Sequence, residues 1–220
     1  MNYHKCIACQ KAWVNKSTAK DRVEWAKAAL QVRLEPEDWH IVRFSDEVHW
    51  AIDEKTEGEK KIKRIHAWAA VGWDFKSPLT FYNIASNTNG KMTQRAYIDQ
   101  ILEPIVKSWI ESHQCFILEE DGDSGHGPGK SNIVRTWKKE NGLQYYFNCY
   151  SSPDLSVIEN CWQPPKQYVK KFPHWDEQDT RELAIEGWEK VNQKFINASV
   201  NSMPQRLKDV IEMDRQMTGH

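Results

Sequence analysis

The first regular pattern along the chain is helical, because apolar residues recur at the spacing of one helix face over Ser17 to Leu30. Pro36 ends this pattern. The compact apolar segment Trp39 to Phe44 then predicts a strand, and Val48 to Ile52, which alternates in part, is expected to pair back on it. The charged segment Glu54 to Arg64 predicts a solvated hairpin turn.

Strand patterns and a long helical pattern follow. Ile65 to Phe75 and Leu79 to Ile84 are rich in β-branched, aromatic and small residues, which is typical of strands. Thr93 to Glu111 has apolar residues at helical spacing. Pro104 within that segment predicts a kink or a break, because proline removes a backbone hydrogen bond from the helix.

The second half of the chain alternates between strand and helix before it becomes helical throughout. Cys115 to Leu118 and Leu143 to Tyr150 are predicted strands. Between them, Asn132 to Glu140 has a helical pattern that Asn141-Gly142 ends. Every segment after Ser152 is predicted to be helical.

This order of elements predicts an α/β fold, a ribonuclease-H-like mixed sheet flanked by helices, with a helical C-terminal extension. We expect a linker-like segment with one helix at residues 1–36, the ribonuclease-H-like domain at 37–172, and C-terminal helices packed on it at 173–220. Asp46 and Asp121 both follow predicted strands. Both aspartates therefore fall at the carboxyl ends of strands, where the functional groups of open sheets gather.

The composition is that of an ordinary globular chain, with 40% hydrophobic and 28% charged residues among 220. The longest nearly apolar run, Ala67 to Trp73, is too short to cross a bilayer, and no signal peptide opens the chain, so we expect neither membrane insertion nor secretion. The net charge at pH 7 is −1. Proteins that bind DNA tightly on their own carry clustered basic residues, so DNA binding here requires a local basic face, a metal or a partner domain.

The five cysteines are odd in number and scattered, which argues against a disulfide framework. Cys6 and Cys9 form a CxxC, and His4 could add a third ligand. Two or three ligands do not close a structural zinc site, so free thiols are the favoured interpretation.

Two aspartates stand out by their surroundings. Asp46 lies in the segment Phe44-Ser45-Asp46-Glu47, and its alternative interpretation is a surface acid in a turn. Asp121 belongs to a run of four acids in five residues directly after an apolar strand, and its alternative is a solvated acidic loop. Moving a phosphodiester linkage with two Mg²⁺ ions requires several converging carboxylates, because this hard cation prefers carboxylate oxygen and water.

Glu159 is the third acidic candidate, and its place depends on where a helix begins. If Ser152-Pro153 starts the helix, Glu159 lies about two turns into it. If the helix starts later, Ser156 and Glu159 match a capping box, in which Glu159 serves the backbone rather than a metal.

Taken together, the segments around these acids resemble the mariner superfamily of transposases. Phe44 to Glu47 matches the first motif of that family, and Asp121 with His126 five residues later matches the second. Ser152 to Leu155, with Ile158 to Asn160 and Trp162, matches the third motif and is the most specific. The segments similar to the fungal branch are Asn89 to Gln94, Tyr97-Ile98, Leu102 to Pro104, and the tail from Trp188 through Ser202 to Pro204 and Arg206-Leu207.

The resemblance implies the catalytic domain of a cut-and-paste DNA transposase that acts in the nucleus. Asp46, Asp121 and Glu159 would hold two divalent ions, Mg²⁺ or Mn²⁺ as a substitute, and drive hydrolysis at transposon ends. The freed 3′-hydroxyl would then attack target DNA, typically at TA. His126 would orient Asp121 or contact phosphate, with a structural hydrogen bond as the alternative. Transposon ends and target DNA are the implied partners, and the resemblance leaves both a monomer and a homodimer as alternatives.

The sequence departs from the family pattern in three places. The paired helix-turn-helix modules that precede this domain in the family are not in the sequence. Gly122 stands where the family usually has asparagine, and the 37 residues between Asp121 and Glu159 exceed the common spacing; Asp123 is a stand-in ligand candidate. Because Pro164-Pro165 would interrupt a helix, the helix of Glu159 is expected to end or kink near Trp162 and to restart at the prolines.

Basic residues and competing functions complete the set of expectations. Lys166, Lys170 and Lys171 follow Glu159 at helical spacing and are candidates for contact with the DNA backbone. The basic run Lys60 to Arg64 is a nuclear signal or, more simply, one side of a solvated hairpin. The alternative function is a domesticated, catalytically silent domain kept for protein binding or assembly. A free-standing ribonuclease-H-like nuclease is the third functional interpretation.

Overall fold

The computed structural model describes residues 16–56, 59–84, 91–173 and 176–213. The CxxC and His4 lie outside these residues, as do positions 85–90 with the start of the Asn89 motif; of Lys60 to Lys63 only the backbone is described. The first helix, α1, spans Lys16–Val32 and confirms the helical pattern predicted there. Among the described residues, no helix is long and apolar enough to cross a membrane.

The centre of the fold is a six-stranded mixed sheet. Its strands are β1 (Val42–Thr56), β2 (Glu59–Gly72), β3 (Phe75–Lys76), β4 (Thr80–Tyr82), β5 (Ile117–Glu120) and β6 (Tyr145–Phe147). The order is β3-β2-β1-β5-β6, with β4 paired to β2. The β1–β2 pair is antiparallel, whereas β1–β5 and β5–β6 are parallel. The predicted α/β mixed sheet is confirmed.

The first strand corrects three expectations. Pro36–Trp39 form a 3₁₀ helix, so the strand begins at Val42 rather than at Trp39. It continues without a break through Asp46 to Thr56, so Val48 to Ile52 extends this strand and does not pair back on it. Most of the predicted charged turn is strand as well, since Thr56 pairs with Glu59. Antiparallel pairing along the whole of β2 carries the strand past the polar residues that had indicated its end.

The long helical segment continues through Pro104 without interruption. It consists of α2 (Gln94–Tyr97), a π-helical segment (Ile98–Val106) and α3 (Lys107–Glu111). Of the predicted kink or break, the break is wrong, and the helix is distorted around the proline into a π segment. In a π-helix each backbone hydrogen bond joins residues five apart rather than four. This local change of spacing accommodates proline, which has no N–H to donate.

Helices cover both faces of the sheet. One face packs against α2, the π segment, α3 and α4 (Ile133–Glu140), in a cluster that includes Trp68, Tyr97 and Leu118. As predicted, α4 begins after Asn132, whose side chain accepts from the Arg135 amide, and is followed by Gly142 at φ +67°. The other face packs against α1 and the C-terminal helices α5 (Val157–Cys161), α6 (Gln163–Lys171), α7 (Glu177–Glu189), α8 (Gln193–Asn201) and α9 (Met203–Glu212).

Candidate active site

The parallel pairing of β1 with β5 brings the two aspartates together. Asp121 follows the carboxyl end of β5 as predicted, whereas Asp46 lies inside β1 and not at its end. Phe44 pairs with Glu119, and two further residues along each chain lead to Asp46 and Asp121. Both residues line an open cleft of about 500 Å³, and Glu159 reaches the same cleft from α5. We call this space the acidic cleft; its carboxylates are Asp46, Glu119, Asp121, Asp123 and Glu159.

Asp46 is held at the cleft by a tryptophan 116 residues away in sequence. The indole Nε1–H of Trp162 donates to Asp46 Oδ2 at 2.9 Å. Burial, reinforced by the charges of Glu47 and Glu159, raises the pKa of Asp46 well above its ordinary value, although the Trp162 bond and the Glu47 backbone oppose the rise. The Asp46 carboxylate therefore lies among groups that disfavour its charge.

Glu159 lies in the first turn of α5 rather than two turns into a helix, because Pro153–Leu155 form a 3₁₀ turn and α5 begins only at Val157. The later start agrees with the capping-box alternative. The box itself is not formed, since the Ser156 hydroxyl donates to Glu119 Oε2 at 3.2 Å. Burial raises the pKa of Glu159, and Asp121 adds to the rise while Lys166 opposes it.

Asp121 carries its hydrogen bonds on one oxygen. Oδ1 accepts from His126 Nδ1 at 2.6 Å and from the backbone N–H of Asp123 at 3.0 Å. Partial burial works against its ionisation, but His126 outweighs it and holds the pKa of Asp121 below its ordinary value. The other nitrogen of His126, Nε2, lies 2.9 Å from Glu47 Oε1. Burial lowers the pKa of His126, yet Glu47 and Asp121 together raise it well above its ordinary value.

Two further acids line the cleft in different ways. The carboxylate of Asp123 accepts from the backbone of Gly125 at 3.0 Å and pairs with Lys91 at 3.7 Å, so it is partly engaged in its own turn. Glu119, which the sequence offered only as part of an acidic run, is 1% exposed. Burial, with the charges of Asp46, Asp121 and Glu159, raises its pKa well above the ordinary value.

The helix carrying Glu159 ends where its sequence predicts. The helix α5 stops at Cys161, and α6 begins at Gln163 with both prolines in its first turn. Lys166 in α6 lies near enough to Glu159 to act on its pKa, whereas Lys170 and Lys171 are exposed at the far end of α6. The departure at Gly122 leaves room, since an added Cβ would meet no atom within 4 Å.

The chemistry of the donor set fits divalent cations. Carboxylates from β1, from the end of β5 and from α5 face one open cleft, and their mutual repulsion contributes to the raised pKa of Asp46 and Glu159. A cation among them would remove that repulsion. Among the described residues, no group of three or more His, Cys, Asp or Glu side chains is arranged so that it could hold a metal ion, so a shared cation would require the carboxylates to draw together.

One consequence for stability can be tested without metal. Because its pKa is raised, Asp46 stabilises the fold at low pH, and that contribution is lost as pH rises through the folded-state pKa. In EDTA at neutral pH, we expect Asp46→Asn to increase the free energy of unfolding by about 1–3 kcal/mol, since asparagine can still accept from Trp162. Chemical denaturation at pH 7 and pH 5 checks this; the gain should shrink at pH 5, and a loss of stability at pH 7 would contradict it.

These features define the class of the protein: a ribonuclease-H-like α/β domain whose acidic cleft lies where the parallel pairing of β1 with β5 ends. No family model matches the chain. It is 22% identical over 226 residues to the Tcb2 transposase of Caenorhabditis briggsae, covering 92% of this chain and 78% of that protein. It is 21% identical over 227 residues to the Tc1 transposase of Caenorhabditis elegans, with 96% and 81% covered.

Solved structures give the same assignment at the level of the fold. The catalytic domain of Mos1 mariner transposase superposes with a TM-score of 0.73 at 12% identity, covering 94% of this chain and 98% of that one. The Mos1 strand transfer complex gives 0.75 at 11% identity, with 99% and 67% covered. The chain is thus similar in sequence to transposases of the Tc1 type and shares the fold of the Mos1 mariner catalytic domain, so the resemblance drawn from its motifs is confirmed.

Proposed function

We propose that this chain performs metal-dependent DNA hydrolysis and strand transfer, holding two Mg²⁺ ions, or Mn²⁺ in their place, through Asp46, Asp121 and Glu159. The observation that carries the proposal is the convergence of these three carboxylates, from three separate elements, on one open cleft. Structures of the Mos1 catalytic domain with Mg and with Mn support the use of divalent ions. Asp123, at the cleft wall, is the reserve ligand.

The chain's own residues supply positioning and charge neutralisation. When bound, the ions activate the attacking oxygen and stabilise the leaving oxygen of the phosphodiester. Asp46 and Asp121 are anchored at the edge of the sheet, and Glu159 is anchored by the buried residues Ile158 and Cys161 beside it. Water would be the first nucleophile, at the transposon end, and the freed 3′-hydroxyl would be the second, at a TA target.

DNA and a second copy of the chain are the proposed partners. Mos1 has been solved as a paired-end complex with a transposon end and as a strand transfer complex, which supports both. Lys166 is the best-placed of the three candidate lysines for a phosphate, because it lies beside Glu159, while Lys170 and Lys171 extend the basic face along α6. A smaller cavity of about 190 Å³ beside the cleft adds Arg64, and Lys91 lines both spaces.

We further propose that the protein acts in the nucleus, where its DNA substrate lies, and that it belongs to the fungal branch of the superfamily. The segments after Met92 and around Ser202 support the branch assignment. The relatives named above lend no support to the alternative of a catalytically silent domain kept for protein binding.

The proposal is tested by titrating the wild-type chain and Asp121→Asn with Mn²⁺. The concentration of free Mn²⁺ is measured at each step by electron paramagnetic resonance. We expect two ions per wild-type chain and a loss of at least about tenfold in affinity for the variant, because it removes one ligand charge from the cleft. Asp179→Asn, which changes a carboxylate on α7 outside the cleft lining, is the control. Equal Mn²⁺ binding by the wild type and Asp121→Asn would refute the assignment.

A further inference from the structure

Asp46 and Asp121 in the acidic cleft are each held by a buried donor that does not line the cleft. Asp46 and Glu47 are neighbours in β1, so their side chains point to opposite faces of the sheet. Asp46 faces α5 and Trp162, whereas Glu47 faces His126 on the opposite side. Asp46 is therefore a candidate metal ligand on one face of the sheet, while its neighbour Glu47 holds His126, the partner of Asp121, on the other face.

His126 is fixed on every side. It is 3% exposed, and its ring packs edge-on against Tyr97 with 4.6 Å between centroids. Its carbonyl accepts from Lys138 Nζ at 3.0 Å. With Glu47 at Nε2 and Asp121 at Nδ1, the ring cannot turn without breaking both hydrogen bonds.

This arrangement sets the orientation of the Asp121 carboxylate. Oδ1 accepts from both His126 and the Asp123 backbone, and among the described residues Oδ2 accepts no hydrogen bond. Oδ2 is thus the oxygen left for a cation. Hydrogen bonds that fix the orientation of ligating groups commonly change metal affinity by about 10- to 100-fold when they are removed.

Trp162 fixes the orientation of the Asp46 carboxylate in a similar way. The indole is 2% exposed and packs on Trp188 with 5.0 Å between ring centroids, so its N–H has little freedom. It occupies Oδ2 of Asp46 at 2.9 Å. Trp162 therefore connects the C-terminal helices to β1, because its ring packs on Trp188 while its N–H bonds the Asp46 carboxylate.

We propose that Trp162 and the Glu47–His126 pair are positioning residues of the metal site, which orient Asp46 and Asp121 before a cation arrives. This inference rests on the proposed function, because it assigns supports to a site that must bind metal. It goes further by adding Trp162 and Glu47 to His126, whose role beside Asp121 the resemblance already implied, and by specifying Oδ2 of Asp121 as the ligating oxygen.

The first arm of the test removes single hydrogen bonds and measures the Mn²⁺ dissociation constant rather than activity. Trp162→Phe keeps an aromatic ring but loses the N–H, and we expect about 10- to 100-fold weaker Mn²⁺ binding. Trp50→Phe is the matched control, because Trp50 lies in the same core and its buried Nε1 has no hydrogen-bond partner among the described residues. The control should bind Mn²⁺ as the wild type does.

The second arm compares His126→Asn with His126→Gln, and adds Glu47→Ala. The asparagine amide can take the place of Nδ1 and still donate to Asp121 but cannot also reach Glu47, so we expect it to lose no more than the roughly tenfold expected for Glu47→Ala. Glutamine places its amide nearer to Nε2 and should lose about 10- to 100-fold, and Glu47→Ala about tenfold, since the imidazole loses its anchor. This arm tests the inference even if Trp162→Phe fails to fold.

The outcomes separate the two proposals. Tight Mn²⁺ binding by the wild type and by all folded variants would overturn the positioning inference and leave the proposed function standing. A wild-type chain that binds no Mn²⁺ would overturn both. Melting temperatures recorded alongside show whether a variant loses affinity while it remains folded, which a purely structural role would not produce.

Discussion

Replacing Glu159 by glutamine is expected to reduce metal-dependent nicking of supercoiled DNA by about a thousandfold. A metal ion supplies several kcal/mol of transition-state stabilisation, and each 1.36 kcal/mol is a factor of ten in rate, so loss of one ligand charge has an effect of this order. The fold should survive, because Glu159 is half-buried and the residues that anchor α5, Ile158 and Cys161, are unchanged.

Asp123→Asn is the matched control for that experiment. Asp123 lines the same cleft, but its carboxylate is already engaged with Gly125 and Lys91, and asparagine can keep the bond to the Gly125 backbone. We expect it to retain nicking within about tenfold of wild type. Plasmid nicking in Mn²⁺, with an EDTA blank, measures both variants. If Asp123→Asn lost more activity than Glu159→Gln, Asp123 rather than Glu159 would be the third ligand.

Local signals along the chain mark the helix boundaries near the cleft. Asn132 and Gly142 mark the ends of α4 through side-chain and backbone preferences that act within a few residues. Pro164-Pro165 likewise separates α5 from α6, because proline cannot continue a helix that needs its N–H. Such features depend on neighbours along the chain and are therefore accessible without a structure.

The extent of β1 could not be found in this way. Ser45, Asp46 and Glu47 interrupt the apolar alternation, and polar residues normally mark the end of a strand. The strand continues because β2 pairs with it over its whole length, which is a tertiary effect that overrides local propensity. The prediction that Asp46 lies at the carboxyl end of a strand was therefore wrong, because Asp46 lies inside β1, two residues beyond its last pair with β5.

The residues that hold the cleft carboxylates could not be predicted from the sequence for a related reason. Trp162 reaches Asp46 across 116 positions, and Glu47 reaches His126 across 79. Glu119 looked like one member of an acidic loop, yet strand parity in β5 turns it towards Ser156 and buries it. Single-sequence patterns identify residue types and local periods, and they carry no information on which distant side chains meet.

The largest stability effect is expected from Lys138, the buried cation beneath the cleft. Lys138 and Glu120 are both 0% exposed and form an ion pair, and the same ammonium donates to the carbonyl of His126. Burial lowers the pKa of Lys138, and the charge of Glu120 opposes that shift. Tyr97 completes the network by donating its hydroxyl to the other oxygen of Glu120.

Lys138→Met keeps the length and the apolar packing of the side chain but leaves Glu120 buried without its counter-charge. Breaking a buried pair from one side costs about 3–5 kcal/mol, a large part of the roughly 5–15 kcal/mol that stabilises a typical domain. Urea denaturation should show this loss, while Lys139→Met, at the exposed neighbouring position, should change stability by under about 0.5 kcal/mol.

The double variant Lys138→Met with Glu120→Gln separates the cost of the stranded charge from the cost of lost contacts. The glutamine side chain would be neutral and could still accept from Tyr97, so we expect the double variant to recover about half or more of the stability lost in Lys138→Met. Failure to recover would mean that Lys138 acts mainly through its bond to the His126 carbonyl. In that case Mn²⁺ affinity should fall in both variants, because the same bond holds the loop that carries His126 against Asp121.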